Sequence, residues 1–255
     1  MLDGIGRVRL GGWILALAMA WAGVAQAGAD YAREKKWADE ISPGIVVGDA
    51  MYLQEQDGRK FLALYTPAPN ARGAAILVHG MGVHPDWGLN GPLRTALPER
   101  GYATLSIQMP VLAADAKAED YPPLFPEAAQ RIAAAASWLK ARGYERIALV
   151  SHSMGARMAN YFLVRTGDPG VQAWVAIGIT APFEKPNEIP VPTLDIHGDG
   201  DFPQVLKQTA ERAFYLRRVK GSAQVVVAGA DHYFNGKELD LARFIANFLD
   251  KALPK

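Results

Sequence analysis

From Ala74 onward, short apolar runs alternate with longer segments of helical periodicity, and this alternation restricts the possible folds more than any other feature of the chain. Strands separated by helices of ten or more residues predict a mostly parallel sheet with helices on both faces. The predicted strands are Ala74–Val78, Ala103–Gln108, Arg146–Val150, Trp174–Ile179, Pro192–His197 and Ala223–Val227. The predicted helices are Pro92–Arg100, Pro126–Arg142, Met154–Val164, Pro203–Arg217 and Glu238–Leu253.

An antiparallel hairpin is predicted ahead of the parallel strands. Ile45–Gln54 and Lys60–Tyr65 have strand character, and the turn residues Gln56-Asp57-Gly58 lie between them. The preceding polar segment, Asp30–Pro43, is predicted to be partly helical and peripheral. We therefore expect residues 28–44 to form a peripheral segment and residues 45–255 to form one α/β domain.

The first 27 residues have the pattern of a secretory signal. Arg7 and Arg9 precede the apolar stretch Trp13–Val24, and Ala25-Gln26-Ala27 has the small residues of a cleavage site. The apolar stretch is shorter than the roughly 20 residues that span a bilayer. We expect cleavage after Ala27 and a periplasmic or secreted protein without stable membrane insertion, the alternative being an uncleaved anchor.

Composition excludes several classes of function. The chain has 27 basic and 26 acidic residues, and no basic stripe suggests a nucleic-acid partner. It has no cysteine, which excludes thiol nucleophiles, disulfides and cysteine-based metal sites. We expect no cofactor and no metal, because no full ligand set accompanies the aspartates near residue 200.

The segment Ile147-Ala-Leu-Val-Ser-His-Ser153-Met-Gly155 has the pattern of a sharp strand-to-helix turn around a serine. Such a turn lifts the serine hydroxyl clear of the sheet and directs the following N–H at the same space. The positions two before and two after the serine must be small, and Ser151 and Gly155 satisfy this requirement. Ser151 replaces the glycine that is usual at the first of these positions.

An acid and a histidine follow the last two predicted strands, which end at the same edge. Asp201 lies after Pro192–His197, and His232 lies after Ala223–Val227. A serine needs a histidine to accept its proton, and a buried carboxylate orients that histidine. We predict Ser153 as nucleophile, His232 as general base and then acid, and Asp201 as the orienting acid.

The neighbouring polar residues admit alternatives. Asp199 could replace Asp201 as the acid, although it is better suited to the turn, and Asp195 is expected to be structural. His79 and His152 are predicted to support the site rather than react. His84 could line a pocket or cap the following helix.

An oxyanion needs backbone N–H donors. We predict those of Met154 and Met81, with Gly82 as an alternative to Met81.

With these residues in place, the chain resembles the α/β-hydrolase superfamily across roughly residues 45–253. The segment Val78-His-Gly-Met-Gly-Val-His84-Pro-Asp-Trp87, continued by Gly91-Pro-Leu-Arg94, is similar to a secreted proteobacterial family of unknown function with that fold. The superfamily resemblance implies hydrolysis of an ester, thioester or related acyl bond through an acyl-enzyme. The cap domain of many relatives is expected to be absent, because only Thr180–Pro190 is available for it.

The substrate site is predicted to have an apolar wall. The long segment Pro110–Phe125 leaves a strand at the same edge of the sheet and carries Tyr121 and Phe125. We expect these two side chains, with Trp87, Phe183 and Phe202, to surround the acyl or alcohol group of a small-molecule substrate. The resulting hypothesis is an extracytoplasmic carboxylesterase-like serine hydrolase; the alternative is a noncatalytic protein of this fold that binds an envelope ligand or partner.

Overall fold

The computed structural model describes residues 28–253, so the predicted signal segment, residues 1–27, lies outside the described residues. A single eight-stranded sheet organises this part of the chain, in the order β1-β2-β4-β3-β5-β6-β7-β8. The strands are β1 Asp49–Gln54, β2 Lys60–Thr66, β3 Gly73–Val78, β4 Tyr102–Ile107, β5 Ile147–His152, β6 Ala173–Ile177, β7 Thr193–Gly200 and β8 Ala223–Asp231. The helices are α1 Tyr31–Ile41, α2 Asn90–Ala96, α3 Phe125–Ala141, α4 Met154–Arg165, α5 Pro203–Leu206, α6 Thr209–Leu216 and α7 Glu238–Ala252.

The predicted fold class is confirmed. β1 pairs antiparallel with β2, and β2 with β4, while every remaining pairing in the sheet is parallel. β3 lies between β4 and β5, so the chain leaves it first toward one side of the sheet and later toward the other. Such a reversal opens a crevice at the carboxyl ends of the strands, where ligands bind in sheets of this kind.

Helices cover both faces of the sheet. Along β3, Ala74, Ile76 and Val78 belong to one hydrophobic cluster, and Ala75 and Leu77 belong to the other. This alternation follows from the two-residue period of a strand. The first cluster is completed by α3 and α4, and the second by α2 and α7. Strands that are buried on both faces therefore have the continuous apolar sequences from which they were predicted.

Several predicted boundaries are wrong, for local reasons. The first strand begins at Asp49 rather than Ile45, because a 3₁₀ turn at Ser42–Gly44 precedes it and Gly48 turns the chain with φ +78°. The predicted helix Pro92–Arg100 is α-helical only over Asn90–Ala96 and continues as a 3₁₀ turn from Pro98. The predicted helix Pro203–Arg217 is two short helices, α5 and α6.

The predicted peripheral segment contains α1, which packs across the edge of the sheet. Its Ala38 contacts Leu62 and Leu64 of β2. Its Glu34 binds Arg131 of α3 at 2.8 Å in a buried ion pair that also includes Glu55 at 2.8 Å. Burial raises the pKa of Glu34 to about 7, although Arg131 opposes this shift. Among residues 28–253, no helix is long and apolar enough to cross a bilayer.

Candidate active site

Ser153 lies on a strained turn between β5 and α4. Its backbone has φ 56° and ψ −119°, in a region that costs a non-glycine residue on the order of 1–3 kcal/mol. A Cβ atom at Gly155 would lie 2.2 Å from the carbonyl oxygen of His79, so only glycine fits at that position. The predicted turn geometry, with its small neighbours, is therefore present at Ser153.

The hydroxyl of Ser151 forms hydrogen bonds that a glycine could not form. The indole Nε1–H of the fully buried Trp174 donates to Ser151 Oγ at 2.8 Å, and this hydroxyl donates to the carbonyl oxygen of Val175 at 3.2 Å. A buried indole N–H requires an acceptor. The departure from glycine at this position is thus explained by the tryptophan on the neighbouring strand.

We expect Ser151→Ala to lower the free energy of unfolding by about 1–3 kcal/mol, because the buried Trp174 N–H would lose its acceptor. Denaturant titration measures this loss. In a Trp174→Phe background the same serine substitution should cost clearly less, since no N–H remains to be satisfied. An equal cost in both backgrounds would contradict the assigned hydrogen bond.

The structure brings Ser153, His232 and Asp201 together at the carboxyl edge of the sheet. Ser153 Oγ lies 3.0 Å from His232 Nε2, and Asp201 Oδ1 lies 2.5 Å from His232 Nδ1. The carboxylate requires a proton on Nδ1, which leaves Nε2 free to accept from the serine hydroxyl. Asp201 and His232 are buried. The arrangement can transfer a proton from the serine to the imidazole during attack on a carbonyl carbon.

The three aspartates near the end of β7 have different hydrogen-bond partners. Asp201 also accepts from the N–H of Phe202 at 2.7 Å, which holds its carboxylate toward the histidine. Asp199 accepts from the N–H of Gly229 at 2.8 Å and thereby joins the end of β7 to β8. Asp195 is fully buried against Arg212 at 2.8 Å. Asp195 therefore has the structural position that the sequence favoured for it, whereas Asp199 lies near the end of β7 rather than in a turn.

Two features around His232 were missed by sequence reasoning. A Cβ atom at Gly178 would lie 3.1 Å from both Asp201 Oδ2 and His232 Nδ1, so this glycine makes room for the acid–histidine pair. Sequence reasoning could have found Gly178 from its position directly after β6, at the same edge of the sheet as the other candidate residues. The ring of Phe202 stacks on the imidazole with centroids 4.0 Å apart, a geometry that also stabilises a protonated imidazole.

His79 and His152 hold the backbone of the candidate site. The N–H of Met109 donates to His79 Nε2 at 2.9 Å, which places the His79 proton on Nδ1, 2.8 Å from the Gly80 carbonyl oxygen. His152 Nε2 lies 3.0 Å from the carbonyl oxygen of His232. Burial lowers the pKa of each of these two imidazoles to about 3. Both imidazoles therefore remain neutral near neutral pH and keep these hydrogen bonds to the backbone.

The predicted oxyanion donors lie on the two backbone segments that flank Ser153. Met154 is the first residue of α4, and the first N–H groups of a helix have no partner within it. Met81 follows Gly80, at which a Cβ atom would lie 3.4 Å from Ser153 Cβ. The alternative residue, Gly82, offers its carbonyl oxygen to Arg33 of α1 at 3.0 Å.

His84 serves the turn before α2. Its Nδ1 accepts from the N–H of Asp86 at 3.3 Å, and its ring packs edge-on against Trp37 at 5.8 Å between centroids. The helix-capping alternative is wrong, because α2 begins at Asn90 without a side-chain cap and His84 instead binds the turn before it.

Only two of the five side chains of the predicted apolar wall are exposed beside the candidate site. Trp87 and Phe202 are about 40% exposed, and both lie edge-on to Tyr233 next to His232, at 5.4 and 6.0 Å between ring centroids. Tyr121 is 1% exposed, and its hydroxyl accepts from the N–H of Leu112 at 3.3 Å. Phe125 and Phe183 are also buried in the hydrophobic core.

The wall prediction for Tyr121, Phe125 and Phe183 is therefore wrong. The start of segment 110–125 is bound to α1 and to the residue that precedes this helix. The N–H of Asp30 donates to the Val111 carbonyl at 2.6 Å, and Arg33 donates to that of Leu112 at 2.7 Å. Burial of these three side chains removes apolar surface from water, which is favourable, and it keeps them from contacting a ligand in the site.

Trp87→Ala should change the preference among ester chain lengths by up to about tenfold, because this exposed ring borders the serine and contributes little to the core. Rates on nitrophenyl esters of increasing acyl length measure the change. Phe125→Ala is the matched contrast: it should lower the free energy of unfolding by about 3–5 kcal/mol. A flat profile for Trp87→Ala would remove this residue from the substrate site.

Comparison of the sequence with known families gives one match. The family described as "Protein of unknown function (DUF3530)" matches residues 14–123, which is less than half of the chain. No curated protein matches the sequence.

Solved structures show the same fold at low sequence identity. A dienelactone hydrolase from Anabaena variabilis is 22% identical, with a TM-score of 0.65 over 80% of this chain and 97% of that one. An α/β serine hydrolase without a lid, from Xanthomonas campestris, is 19% identical, with a TM-score of 0.59 over 83% and 97%. An esterase from Pyrococcus furiosus is 16% identical, with a TM-score of 0.62 over 81% and 93%. The chain has the α/β-hydrolase fold.

Proposed function

We propose that this protein of the α/β-hydrolase fold is a serine hydrolase that cleaves an ester-type acyl bond through an acyl-enzyme. The observation that carries the proposal is the unbroken chain of contacts from Ser153 Oγ to His232 Nε2 at 3.0 Å, and from His232 Nδ1 to Asp201 at 2.5 Å. A scaffold that only binds a ligand has no physical need for all three groups in this order. The strained backbone of Ser153 adds support, since strain of this kind is concentrated at functional sites.

In the proposed reaction, Ser153 Oγ attacks the acyl carbon while its proton moves to His232 Nε2. The N–H groups of Met154 and Met81 would stabilise the oxyanion, and Asp201 would stabilise the imidazolium. The alcohol leaves with the proton of His232 as the acyl-enzyme forms. A water molecule then gives its proton to His232 and attacks the acyl carbon; return of that proton to Ser153 Oγ releases the carboxylic acid.

An ester is the bond class that the surroundings favour. Met81, Trp87 and Phe202 form a partly exposed apolar border beside the reacting groups, which suits an acyl chain. The names of the structural neighbours point the same way, because they include a dienelactone hydrolase and an esterase. The segment between β6 and β7 contains only a short 3₁₀ turn, Pro186–Glu188, which leaves the site open to small and medium substrates.

We also propose that the protein acts outside the cytoplasm after cleavage behind Ala27, from the charge, apolar stretch and small residues of segment 1–27. N-terminal sequencing of the protein from the exported fraction should begin at Gly28. Recovery of the chain in the membrane fraction with residues 1–27 intact would instead support the anchor.

Labelling with a fluorophosphonate probe tests the proposed chemistry. Such probes react with activated serines, so the purified wild-type protein should become labelled at Ser153, as located by peptide mass spectrometry. Heat-denatured protein is the control, because it keeps every serine but loses the geometry. Well-folded wild type that remains unlabelled would overturn the proposal and favour a noncatalytic binding protein.

A further inference from the structure

Arg33 of α1 binds the loop after β3, which carries the predicted oxyanion donor Met81. Its Nη2–H donates to the carbonyl oxygen of Gly82 at 3.0 Å, and its Nη1–H donates to that of Leu112 at 2.7 Å. A planar guanidinium presents such donors in a fixed geometry. Arg33 therefore joins the loop after β3 to the segment that follows β4.

Gly82 is the position at which this loop can most easily change conformation. Its φ is +68°, in the left-handed region, and glycine adopts positive and negative φ about equally readily. On the other side of Met81, the Gly80 carbonyl oxygen lies 2.8 Å from His79 Nδ1. The carbonyl groups of the residues before and after Met81 are thus held by two different side chains, His79 and Arg33.

The side chain of Arg33 is itself held in place. The Arg33 backbone N–H donates to Asp30 Oδ1, the N-cap of α1, at 3.0 Å. The guanidinium carbon lies 4.5 Å from the centroid of the Trp37 ring, one turn further along the helix. Trp37 in turn packs edge-on against His84, which follows the same loop. The two hydrogen bonds therefore start from a side chain whose position is already determined.

The attachment of α1 to the domain does not require Arg33. The hydroxyl of Tyr31 donates to Glu127 at 3.1 Å, and Glu34 pairs with Arg131 at 2.8 Å. Both contacts join α1 to α3. The hydrogen bonds of Arg33 are thus separate from those that dock the helix, and removal of this side chain should leave the helix in place.

We propose that Arg33 is a positioning residue for the oxyanion site, because it holds the loop in which the Met81 N–H meets the oxyanion formed by attack of Ser153. The inference rests on the proposed serine hydrolase activity. Loss of one oxyanion donor typically costs on the order of 10²–10³ in rate, and a displaced donor loses part of that contribution. Since the oxyanion is absent from the bound substrate, the loss should affect kcat rather than KM.

Arg33→Met tests the proposal, because methionine keeps an apolar stem beside Trp37 but removes both donors. On a short-chain nitrophenyl ester, kcat should fall at least about tenfold, while KM changes by less than about twofold.

A trifluoromethyl ketone of matched length gives a second readout. Ser153 Oγ adds to its ketone carbon, the serine proton passes to His232, and the ketone oxygen becomes the oxyanion. The inhibition constant of this ketone should rise by about the factor by which kcat falls in Arg33→Met. Loss of folded protein alone would lower the apparent kcat and leave the inhibition constant unchanged.

Arg59→Met is the matched control. The Arg59 guanidinium lies 3.7 Å above the ring of Tyr31, so this variant removes a contact to the same helix and keeps the Gly82 hydrogen bond. It should retain the wild-type kcat and inhibition constant. Equal losses in Arg59→Met and Arg33→Met would assign the effect to the docking of α1 and overturn the proposal.

Arg33→Lys keeps the charge but cannot present two parallel N–H groups, so its kcat and inhibition constant should lie between those of the wild type and Arg33→Met. Wild-type values in folded Arg33→Met, or in Arg33→Lys if the methionine variant does not fold, would overturn this inference alone. A wild type that neither hydrolyses the ester nor binds the ketone would overturn the proposed function, and the role of Arg33 with it.

Discussion

Ser153→Ala should abolish fluorophosphonate labelling and lower the rate of ester hydrolysis by about 10⁴-fold or more. The substitution removes the hydroxyl that His232 is positioned to activate, and removal of such a nucleophile leaves only the contribution of the oxyanion donors and of substrate binding. Rates on a short-chain nitrophenyl ester, measured beside labelling, give the effect. The fold should persist, because Ser153 Oγ contacts the His232 side chain rather than the core.

Ser137→Ala is the matched control, since Ser137 is an exposed serine of α3 and lies outside the candidate site. It should retain full labelling and full activity. Residual labelling of a folded Ser153→Ala protein would indicate that another serine reacts. That result would contradict the assignment of Ser153 even if the wild type hydrolyses esters.

Asp201→Asn should lower kcat/KM by about 10³–10⁴-fold with little loss of stability. The amide keeps the shape of the side chain, but its NH₂ group can donate to the imidazole and so favour the tautomer with the proton on Nε2. That tautomer cannot accept the proton of Ser153. Orienting carboxylates of this type show losses of this order when they are changed to the amide.

Asp199→Asn is the control that the chain itself offers, two residues away. Asp199 accepts from the N–H of Gly229 at 2.8 Å, and an asparagine oxygen can accept the same bond. We therefore expect less than about a tenfold change in kcat/KM. A larger effect at Asp199 than at Asp201 would reverse the assignment and restore the alternative acid.

Much of the site could be predicted because its signals are local. The turn at Ser153 depends on neighbours two residues away, and Ser151 and Gly155 are both small. Asp201 and His232 follow β7 and β8 directly, and the carboxyl ends of parallel strands meet at one edge. The prediction that three distant residues converge thus required only the positions of the strands.

Other features depend on partners that lie far apart along the chain. The exposed Trp87 and the buried Phe125 are both aromatic residues near predicted strand ends, and no local pattern distinguishes them. The task of Ser151 depends on Trp174, on the neighbouring strand. The segment that contains α1 was predicted to be peripheral. In the structure, however, Arg33 of α1 donates to the Gly82 carbonyl oxygen, and Glu34 forms an ion pair with Arg131.

By itself, the sequence determined the order of strands and helices, the class of the sheet and the edge at which reactive groups gather, because hydrophobic period and turn chemistry act over a few residues. The sequence favoured Asp201 over Asp199 and left both open. Only the tertiary structure showed that Asp201 faces His232 and which aromatic rings remain accessible. Burial and side-chain direction result from the packing of distant segments, and the spacing of residues along the chain does not encode that packing.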